Sequence, residues 1–486
     1  MSQLCLILAE ERVDQLNAKI RRWNGACPLI EIRIDHLGSP QVPRLPESRR
    51  SRYIATCRPA REGGRYRGAE PERLGLLRRA AQSGFDWIDL EGDVPPMSFP
   101  PGVQIVRSHH DFQSFPQDWA GLLTKMDSLP GDVSKIAVTV ENTAQLVEVL
   151  RQFERPAPRK RIFIGMDGFG QPSRLLGHFL GNAWTYVTEE AGRQVAPGQC
   201  SLDEALTSFR LDYSGPRPTV YGILGNPLVH SMSPPLHNRL FAHYRLENVY
   251  LPFRLTAVEP WFEYVATSPI RFGGFSVTLP FKTDVVKFVT AAGEADQALN
   301  TLVREGSGWK GVNTDYAGFL KPLAGIDLRG CEALVLGTGG VTHTVIRALQ
   351  SKGAKITVVG RDPAKTAALT RRYGCGQALF SDLPIKAHLC VNCTPVGQYP
   401  ATEASPLAAG QLAFEMVYDL IYRPERTALI QMAESKGLKT ITGREMFVEQ
   451  AALQFHAWTG IDPDRKLVRE IVESLFSGAE QVAGEG

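Results

Sequence analysis

The sequence lacks a strong excess of either charge. A net charge of +3 spread over 486 residues gives no basis for binding nucleic acid or an anionic membrane surface. It also lacks any apolar run approaching the roughly 18 residues of a membrane span. The N-terminal stretch MSQLCLILAEERVDQL has no basic n-region, and acidic residues follow its short apolar core. Neither a signal peptide nor an Arg- and Ser-rich transit peptide is expected, and LCLILA reads as a buried strand. Cysteine is sparse: eight residues scattered through the chain form no disulfide framework. Reduced thiols and a cytoplasmic location are expected. The one C-x-x-C pair, Cys390 and Cys393 in HLCVNCTPVG, has no second ligand pair nearby. These thiols are expected to be strand residues, with no metal. Short-period repeats and low-complexity segments are absent too.

What remains is an ordinary globular composition, 43% apolar and 22% charged, in a chain long enough for two to four domains. Eight β-rich runs recur through the first two hundred residues, at 4–10, 29–35, 52–58, 87–92, 103–110, 135–141, 162–167 and 184–190. Helical patterns such as 71–84 and 142–153 separate several of them. Near-continuous apolar strands with interleaved helices predict an α/β fold beginning with a (β/α)8 barrel. One unit is degenerate in this reading, because the proline-rich EGDVPPMSFPPG leaves no room for a normal helix. The Pro/Gly/Ser-rich LDYSGPRPT (211–219) is the best domain boundary, and a second α/β pattern starts beyond it. Near Gly330, EALVLGTGG, a helix and KITVVGRD open a Rossmann-type dinucleotide-binding fold.

Lys135 heads the apolar strand SKIAVTV. It is either a strand-edge lysine whose amine reaches water or an imine-forming nucleophile. A free lysine, with a pKa of roughly 10.4, is mostly ammonium at neutral pH, and burial or a nearby cation frees the amine. SHHDF places two histidines at a strand end, where barrels gather catalytic groups, and alternation turns only one of them inward. EIRID and CRPAREGG end two further strands with Glu31, Arg33, Arg58 and Glu62. Singly these charges read as surface groups. Together they describe a site for an anionic carbonyl substrate, with arginine forks for a carboxylate.

EIRID, CRPAREGG, SHHDF, SKIAV, GMDGFGQPSR and APGQ follow one another as in type I 3-dehydroquinate dehydratases, which residues 1–210 resemble. The resemblance implies Lys135 as Schiff-base lysine, His110 as general acid/base and Glu62 as the carboxylate orienting it. It also implies Glu31, Arg33, Arg58, Arg174 and Gln199 as substrate-binding residues. One departure is Val195, where the family usually has serine.

In the second half, GNPLVHSMSPPLHN carries Ser231 and Ser233 in a proline-punctuated turn, either a capping segment or a ligand loop. FSVTLPFK supplies Thr278 and Lys282, and GVNTDYAG supplies Asn313 and Asp315. A lone lysine or aspartate reads as surface, whereas a Lys/Asp pair facing a pocket can move a proton to a substrate oxygen. In VLGTGGVTHT, Gly337, Gly339 and Gly340 allow pyrophosphate to approach a helix N-terminus, with Thr342 in place of the third glycine. Arg361 at the end of the next strand favours a 2′-phosphate, whereas Asp362 suits free ribose hydroxyls; Lys365 favours NADP.

With ALNTLV, NCTPVG, YDLIYRPERT and GREMFVEQAALQF, these motifs resemble shikimate dehydrogenases over residues 219–480. The resemblance implies Lys282 and Asp315 as the catalytic pair, and Ser231, Ser233, Thr278, Asn300, Tyr422 and Gln450 as the substrate shell. Gly337, Gly339, Gly340, Arg361, Lys365, Thr394 and Gly443 fall at NADP positions. Ser276 and Gly360 replace asparagines frequent in stand-alone dehydrogenases. The expected segments are a dehydratase barrel at 1–212, a linker at 213–218, a substrate domain at 219–322, an NADP domain at 323–443 and C-terminal helices at 444–486. The expected partners are small molecules: 3-dehydroquinate, 3-dehydroshikimate and shikimate. Alternatives are a quinate-preferring dehydrogenase fused to a dehydratase, and a degenerate, repressor-like paralogue.

Overall fold

A computed structural model describes residues 3–190, 192, 196–228, 231–291 and 298–484. The chain divides into two compact units, residues 1–273 and 274–486, and the division falls inside a strand.

The first unit opens with eight parallel strands: β1 (Gln3–Leu8), β2 (Leu29–Arg33), β3 (Arg52–Thr56), β4 (Trp87–Glu91), β5 (Gln104–Asp111), β6 (Val133–Thr139), β7 (Lys160–Met166) and β8 (Trp184–Thr188). Their hydrogen-bonded order is β7-β6-β5-β4-β3-β2-β1-β8, a nearly closed α/β barrel. At the β7/β8 seam, Asn182 Oδ1 accepts from the Phe163 N–H at 2.9 Å. The Ala183 N–H also donates to Arg161 O at 3.0 Å.

Side chains alternate strictly along these strands. The Cys5, Ile54, Trp87, Val106, Val133, Ile162 and Trp184 side chains pack together into one buried apolar core. Trp87 and Trp184 meet edge to face there, with centroids 5.3 Å apart. Two and four residues on, the same faces of β4, β5 and β6 carry Asp89, Ser108, His110 and Lys135. The apolar core thus fills one end of the barrel and the charged groups lie towards the carboxyl ends of the strands.

The proline-rich β4–β5 connection contains no helix, as its sequence predicts. The β2–β3 connection also lacks an α-helix, which periodicity did not reveal; it carries Pro40, Pro43 and Pro46. The first unit continues with β9 (Thr219–Gly225), parallel to β10 (Asn248–Arg254), and the helices Ser233–His243 and Glu259–Thr267. It ends within β11 (Phe272–Val277).

In the second unit β11 runs antiparallel to β13 (Thr301–Glu305), which pairs with β14 (Gly308–Val312); β12 (Val289–Ala291) flanks β14. A separate parallel sheet contains β15 (Glu332–Leu336), β16 (Lys355–Gly360), β17 (Gly376–Leu379), β18 (Ala387–Asn392), β19 (Phe414–Asp419) and β20 (Lys439–Ile441). Its order, β17-β16-β15-β18-β19-β20, is the doubly wound Rossmann order, with its switch point between β15 and β18. The helix Gly443–Thr459 returns to the first of these sheets, where Trp458 Nε1 donates to Leu302 O at 3.0 Å. Among the described residues no helix is long and apolar enough to cross a membrane.

Candidate active sites

At the carboxyl end of the barrel, one cavity is lined by all eight dehydratase residues expected from sequence: Glu31, Arg33, Arg58, Glu62, His110, Lys135, Arg174 and Gln199. They come from strands and loops up to 168 positions apart, so only barrel closure assembles them. Val195 lies outside the described residues.

Lys135 projects from the middle of β6 and is buried. Its Nζ lies 3.4 Å from Asp89 Oδ2, 3.9 Å from Glu31 Oε2 and 4.4 Å from the Tyr186 ring centroid. His110 Nδ1 lies 3.0 Å from Glu62 Oε2. Burial, then the cations Arg58, Lys135 and Arg33, hold His110 well below the usual histidine range. The imidazole is therefore neutral near pH 7, as a proton acceptor must be. Burial pushes Glu62 up to about 8, with Arg58 opposing. His109 is the outward member of the pair.

The arginines differ in what holds them. Asp35 grips Arg33 in two-point geometry at 2.9 and 2.8 Å. Arg58 donates to Glu91 and Asp89 at 2.7 Å each and to Ser108 at 2.6 Å. Arg174 is 5% exposed and donates to the Pro197 carbonyl at 3.1 Å. Its Nε has no partner among the described residues, and burial brings its pKa down to about 10. A buried guanidinium without a carboxylate is costly unless an anion arrives to meet it.

Asp89, Glu91, Ser108 and Asp35 were not singled out from the sequence. For Asp89 and Glu91 the signal was present in WIDLEG, where two acids occupy alternate positions of an apolar strand. Asp89 is fully buried; burial raises its pKa, but Arg58 and Lys135 outweigh burial and lower it. It stands between Arg58 and Lys135 as a fixed counter-charge.

In the second unit, Lys282 Nζ meets Asp315 Oδ2 at 2.5 Å. Asp315 lies in the first turn of the helix Thr314–Leu320, whose cap is Asn313, accepting from the Tyr316 N–H. Asn300 ties this helix to β13: its Nδ2 donates to Thr314 Oγ1 at 2.9 Å, and its Oδ1 accepts from the Thr314 N–H at 2.8 Å. Tyr422 stacks on Phe447 with centroids 4.9 Å apart, and Gln450 packs against Gly318 of the Asp315 helix. The Thr278 carbonyl accepts from the Phe281 N–H at 3.0 Å, closing the turn that delivers Lys282. Ser231 and Ser233 belong to the first unit, at the start of the helix Ser233–His243. Ser276, the departure from asparagine, hydrogen bonds to Gln454, which also donates to Thr301 Oγ1 at 3.1 Å. Gln454 was missed because its partners lie more than 150 positions away.

The Gly-rich turn lies at the switch point. Gly337 has φ +102, and its missing side chain leaves room for Thr394, whose Cγ2 would lie 3.0 Å from a Cβ there. Gly339 caps the helix Gly340–Ser351 without a side-chain bond, and a Cβ on Gly339 would meet nothing within 4 Å. An open, uncapped helix N-terminus fits a pyrophosphate. Arg361 is exposed, whereas Asp362 Oδ1 accepts from the Ala364 and Lys365 N–H groups at 2.9 and 3.1 Å. Asp362 thus caps the next helix, while the Arg361 guanidinium stays exposed beside it. Gly360 has its own reason: a Cβ would lie 2.0 Å from Thr366 Oγ1. Gly443 likewise sits against the Leu420 and Ile421 carbonyls, 2.5 and 2.4 Å from its would-be Cβ. Lys365 is exposed as well. Cys390, in β18, and Cys393, one residue beyond its end, are buried free thiols whose pKa values burial raises; only the first is a strand residue.

One half gathers a buried amine, a histidine–glutamate pair and arginines at the mouth of a parallel barrel, as a lyase acting on an anionic carbonyl compound requires. The Rossmann sheet with a lysine–aspartate pair makes the other a dinucleotide-dependent dehydrogenase. Type I 3-dehydroquinase matches residues 4–216, the shikimate dehydrogenase substrate binding domain 223–302, and the shikimate 5'-dehydrogenase C-terminal domain 443–473. The chain is 29% identical to the bifunctional 3-dehydroquinate dehydratase/shikimate dehydrogenase of Arabidopsis thaliana, over 97% of this chain and 84% of that one. It is 37% identical to the shikimate dehydrogenase (NADP(+)) of Bacillus licheniformis, over 53% of this chain and 98% of that one. Shikimate 5-dehydrogenase from Thermus thermophilus, solved with NADP(H) and shikimate, is 33% identical with a TM-score of 0.48, covering 53% of this chain and 99% of that one. The chain belongs to the shikimate dehydrogenase family and carries a type I 3-dehydroquinase domain ahead of it.

Proposed function

We propose that the barrel dehydrates 3-dehydroquinate to 3-dehydroshikimate and that the second half reduces this product to shikimate with NADPH. The observation that carries the reading is the cavity holding Lys135, the His110–Glu62 pair and Arg174, whose Nε has no partner among the described residues.

Lys135 Nζ adds to the C3 ketone, and loss of water leaves a protonated imine. That imine draws electrons from C2, so His110 can take the C2 proton as an enamine forms. The C1 hydroxyl then departs as water, with the proton returned by His110. Hydrolysis of the imine releases the enone and regenerates the amine. Glu62 orients the imidazole; Arg174 and Gln199 hold the anionic substrate, with Arg33, Arg58 and Glu31 completing the contacts. Borohydride in the presence of 3-dehydroquinate should reduce the imine and fix a stable adduct on Lys135, read by peptide mass. An adduct on another residue, or none, defeats this assignment.

NADPH, when bound, supplies the hydride. Gly337, Gly339, Gly340 and Thr394 suit its pyrophosphate, Arg361 and Lys365 its 2′-phosphate, and Gly443 its far edge. Lys282, steadied by Asp315, gives a proton to the C3 oxygen. Ser231, Ser233, Thr278, Asn300, Tyr422 and Gln450 position the carboxylate and hydroxyls.

The segment boundaries expected from sequence remain part of the proposal, supported by family matches that end at 216 and resume at 223. A cytoplasmic location is supported by eight free thiols. The repressor-like alternative is not favoured, because Lys135, His110, Lys282 and Asp315 all keep reactive partners; the quinate-preferring one is not favoured because the similar relatives are shikimate dehydrogenases.

A further inference from the structure

The connection that leaves β10 touches two loops at the barrel mouth. Thr256 and Thr143 exchange hydrogen bonds: the Thr143 N–H donates to Thr256 Oγ1 at 3.1 Å and the Thr256 N–H donates to Thr143 Oγ1 at 2.8 Å. Thr143 opens the helix that follows β6, the strand of Lys135. Two residues before Thr256, Arg254 ends β10. Its guanidinium lies 4.3 Å from the Phe169 ring centroid, over the turn between β7 and the helix Gln171–Leu180. A Cβ on Gly168 would lie 2.4 Å from Arg254 Nη1, so the arginine fills the space that this glycine leaves. On its other side, Arg254 Nε donates to Asn226 Oδ1 at 2.9 Å.

Both contacts reach substrate loops. The turn at Gly168 and Phe169 leads directly into the helix of Arg174. Its first residue, Asp167, has φ +69, and its carbonyl lies 2.6 Å from where a Gly198 Cβ would stand, next to Gln199. Asn226 begins the segment that carries Ser231 and Ser233. One side chain thus abuts the loop holding the dehydratase's anion-binding residues and the loop expected to hold shikimate.

We propose that Arg254 is a positioning residue shared by both substrate loops, so that disturbing either loop changes substrate binding at the other. This rests on the assignment of Arg174 and Gln199 to 3-dehydroquinate and of Ser231 and Ser233 to shikimate. The linkage is reciprocal, because a guanidinium that shifts to follow one loop leaves its bond to the other. Cation–π and charged hydrogen-bond contacts of this kind change affinities by about two- to tenfold.

The test uses the full-length protein and measures each reaction alone. Phe169→Leu keeps apolar bulk and removes the aromatic face, and Gly168→Ala displaces the guanidinium without deleting it. Each is expected to raise the KM for 3-dehydroshikimate in the NADPH-linked assay by about two- to tenfold, with kcat little changed. Asn226→Ala should raise the KM for 3-dehydroquinate, and Arg254→Lys should raise both. Arg174→Ala and Ser233→Ala serve as controls, expected to raise only the 3-dehydroquinate and the 3-dehydroshikimate KM respectively. If the controls behave so but Phe169→Leu and Gly168→Ala leave the dehydrogenase KM at the wild-type value, the shared role of Arg254 is overturned. If the controls change nothing, the site assignment fails and takes the proposal with it.

Discussion

Removing the Lys282 amine tests the dehydrogenase chemistry. The ammonium sits 2.5 Å from the Asp315 carboxylate. At that separation and an effective dielectric near 20, the attraction is roughly 7 kcal/mol before desolvation costs. The rotamer freedom that holding a lysine gives up is about 2 kcal/mol. The pair is therefore held together, and the proton stands ready at a fixed place. General acid assistance typically contributes about 10²- to 10⁴-fold, or roughly 3–5 kcal/mol of barrier. Lys282→Met preserves the length and apolar stem and deletes the proton. The variant should lose that 10²- to 10⁴-fold in kcat for 3-dehydroshikimate reduction. Its KM for NADPH and the whole dehydratase reaction should stay near wild type, since Lys282 lies in the second unit and the barrel in the first. Initial rates of NADPH oxidation measure the first effect; enone formation from 3-dehydroquinate measures the second. A loss of less than about tenfold in kcat would refute the assignment of Lys282 as proton donor.

Other outcomes follow from the same geometry. Burial and three cations depress His110 below its ordinary value of 6.5, so its base form persists as pH falls. The acid limb of dehydratase kcat/KM should accordingly lie below pH 6.5, and a limb above it contradicts a neutral buried imidazole. With Asp362 committed to its helix cap, Arg361→Ser should raise the KM for NADPH roughly 10- to 100-fold and leave that for NADH nearly unchanged. Equal losses for both cofactors would remove Arg361 from the 2′-phosphate. Gly360→Ala pushes a methyl group into Thr366, so urea denaturation should show about 1–3 kcal/mol less stability. The double change with Thr366→Ser, which keeps the hydroxyl, should recover little of it; full recovery would mean the threonine methyl group is the obstacle.

The barrel was legible because its strands are short apolar runs that carry or adjoin charged motifs. Proline explains both connections without an α-helix, yet only the β4–β5 one was read from sequence. In the β2–β3 connection the prolines are spread along a longer loop. Lys135 and His110 were visible as polar, titratable groups on apolar strands. Asp89 and Glu91 obeyed the same alternation and were passed over, because WIDLEG reads first as a strand and only second as two inward acids. The ion pairs from Arg33 to Asp35 and from Arg58 to Asp89 depend on local turn geometry and on strand register respectively. The Ser276–Gln454 bond spans 178 positions and has no periodic signature at all. Gly360 shows the reverse case: the sequence marked it as a departure, and its cause, the Thr366 hydroxyl, became visible only in three dimensions.

The central claim is that one chain carries out both steps in succession, beginning with an imine on Lys135. The direct measurement is NADPH oxidation by wild-type protein and by Lys135→Ala, each supplied first with 3-dehydroquinate and then with 3-dehydroshikimate. The account predicts that wild type consumes NADPH from either compound, whereas Lys135→Ala does so only from 3-dehydroshikimate. NADPH consumption by Lys135→Ala from 3-dehydroquinate would contradict it.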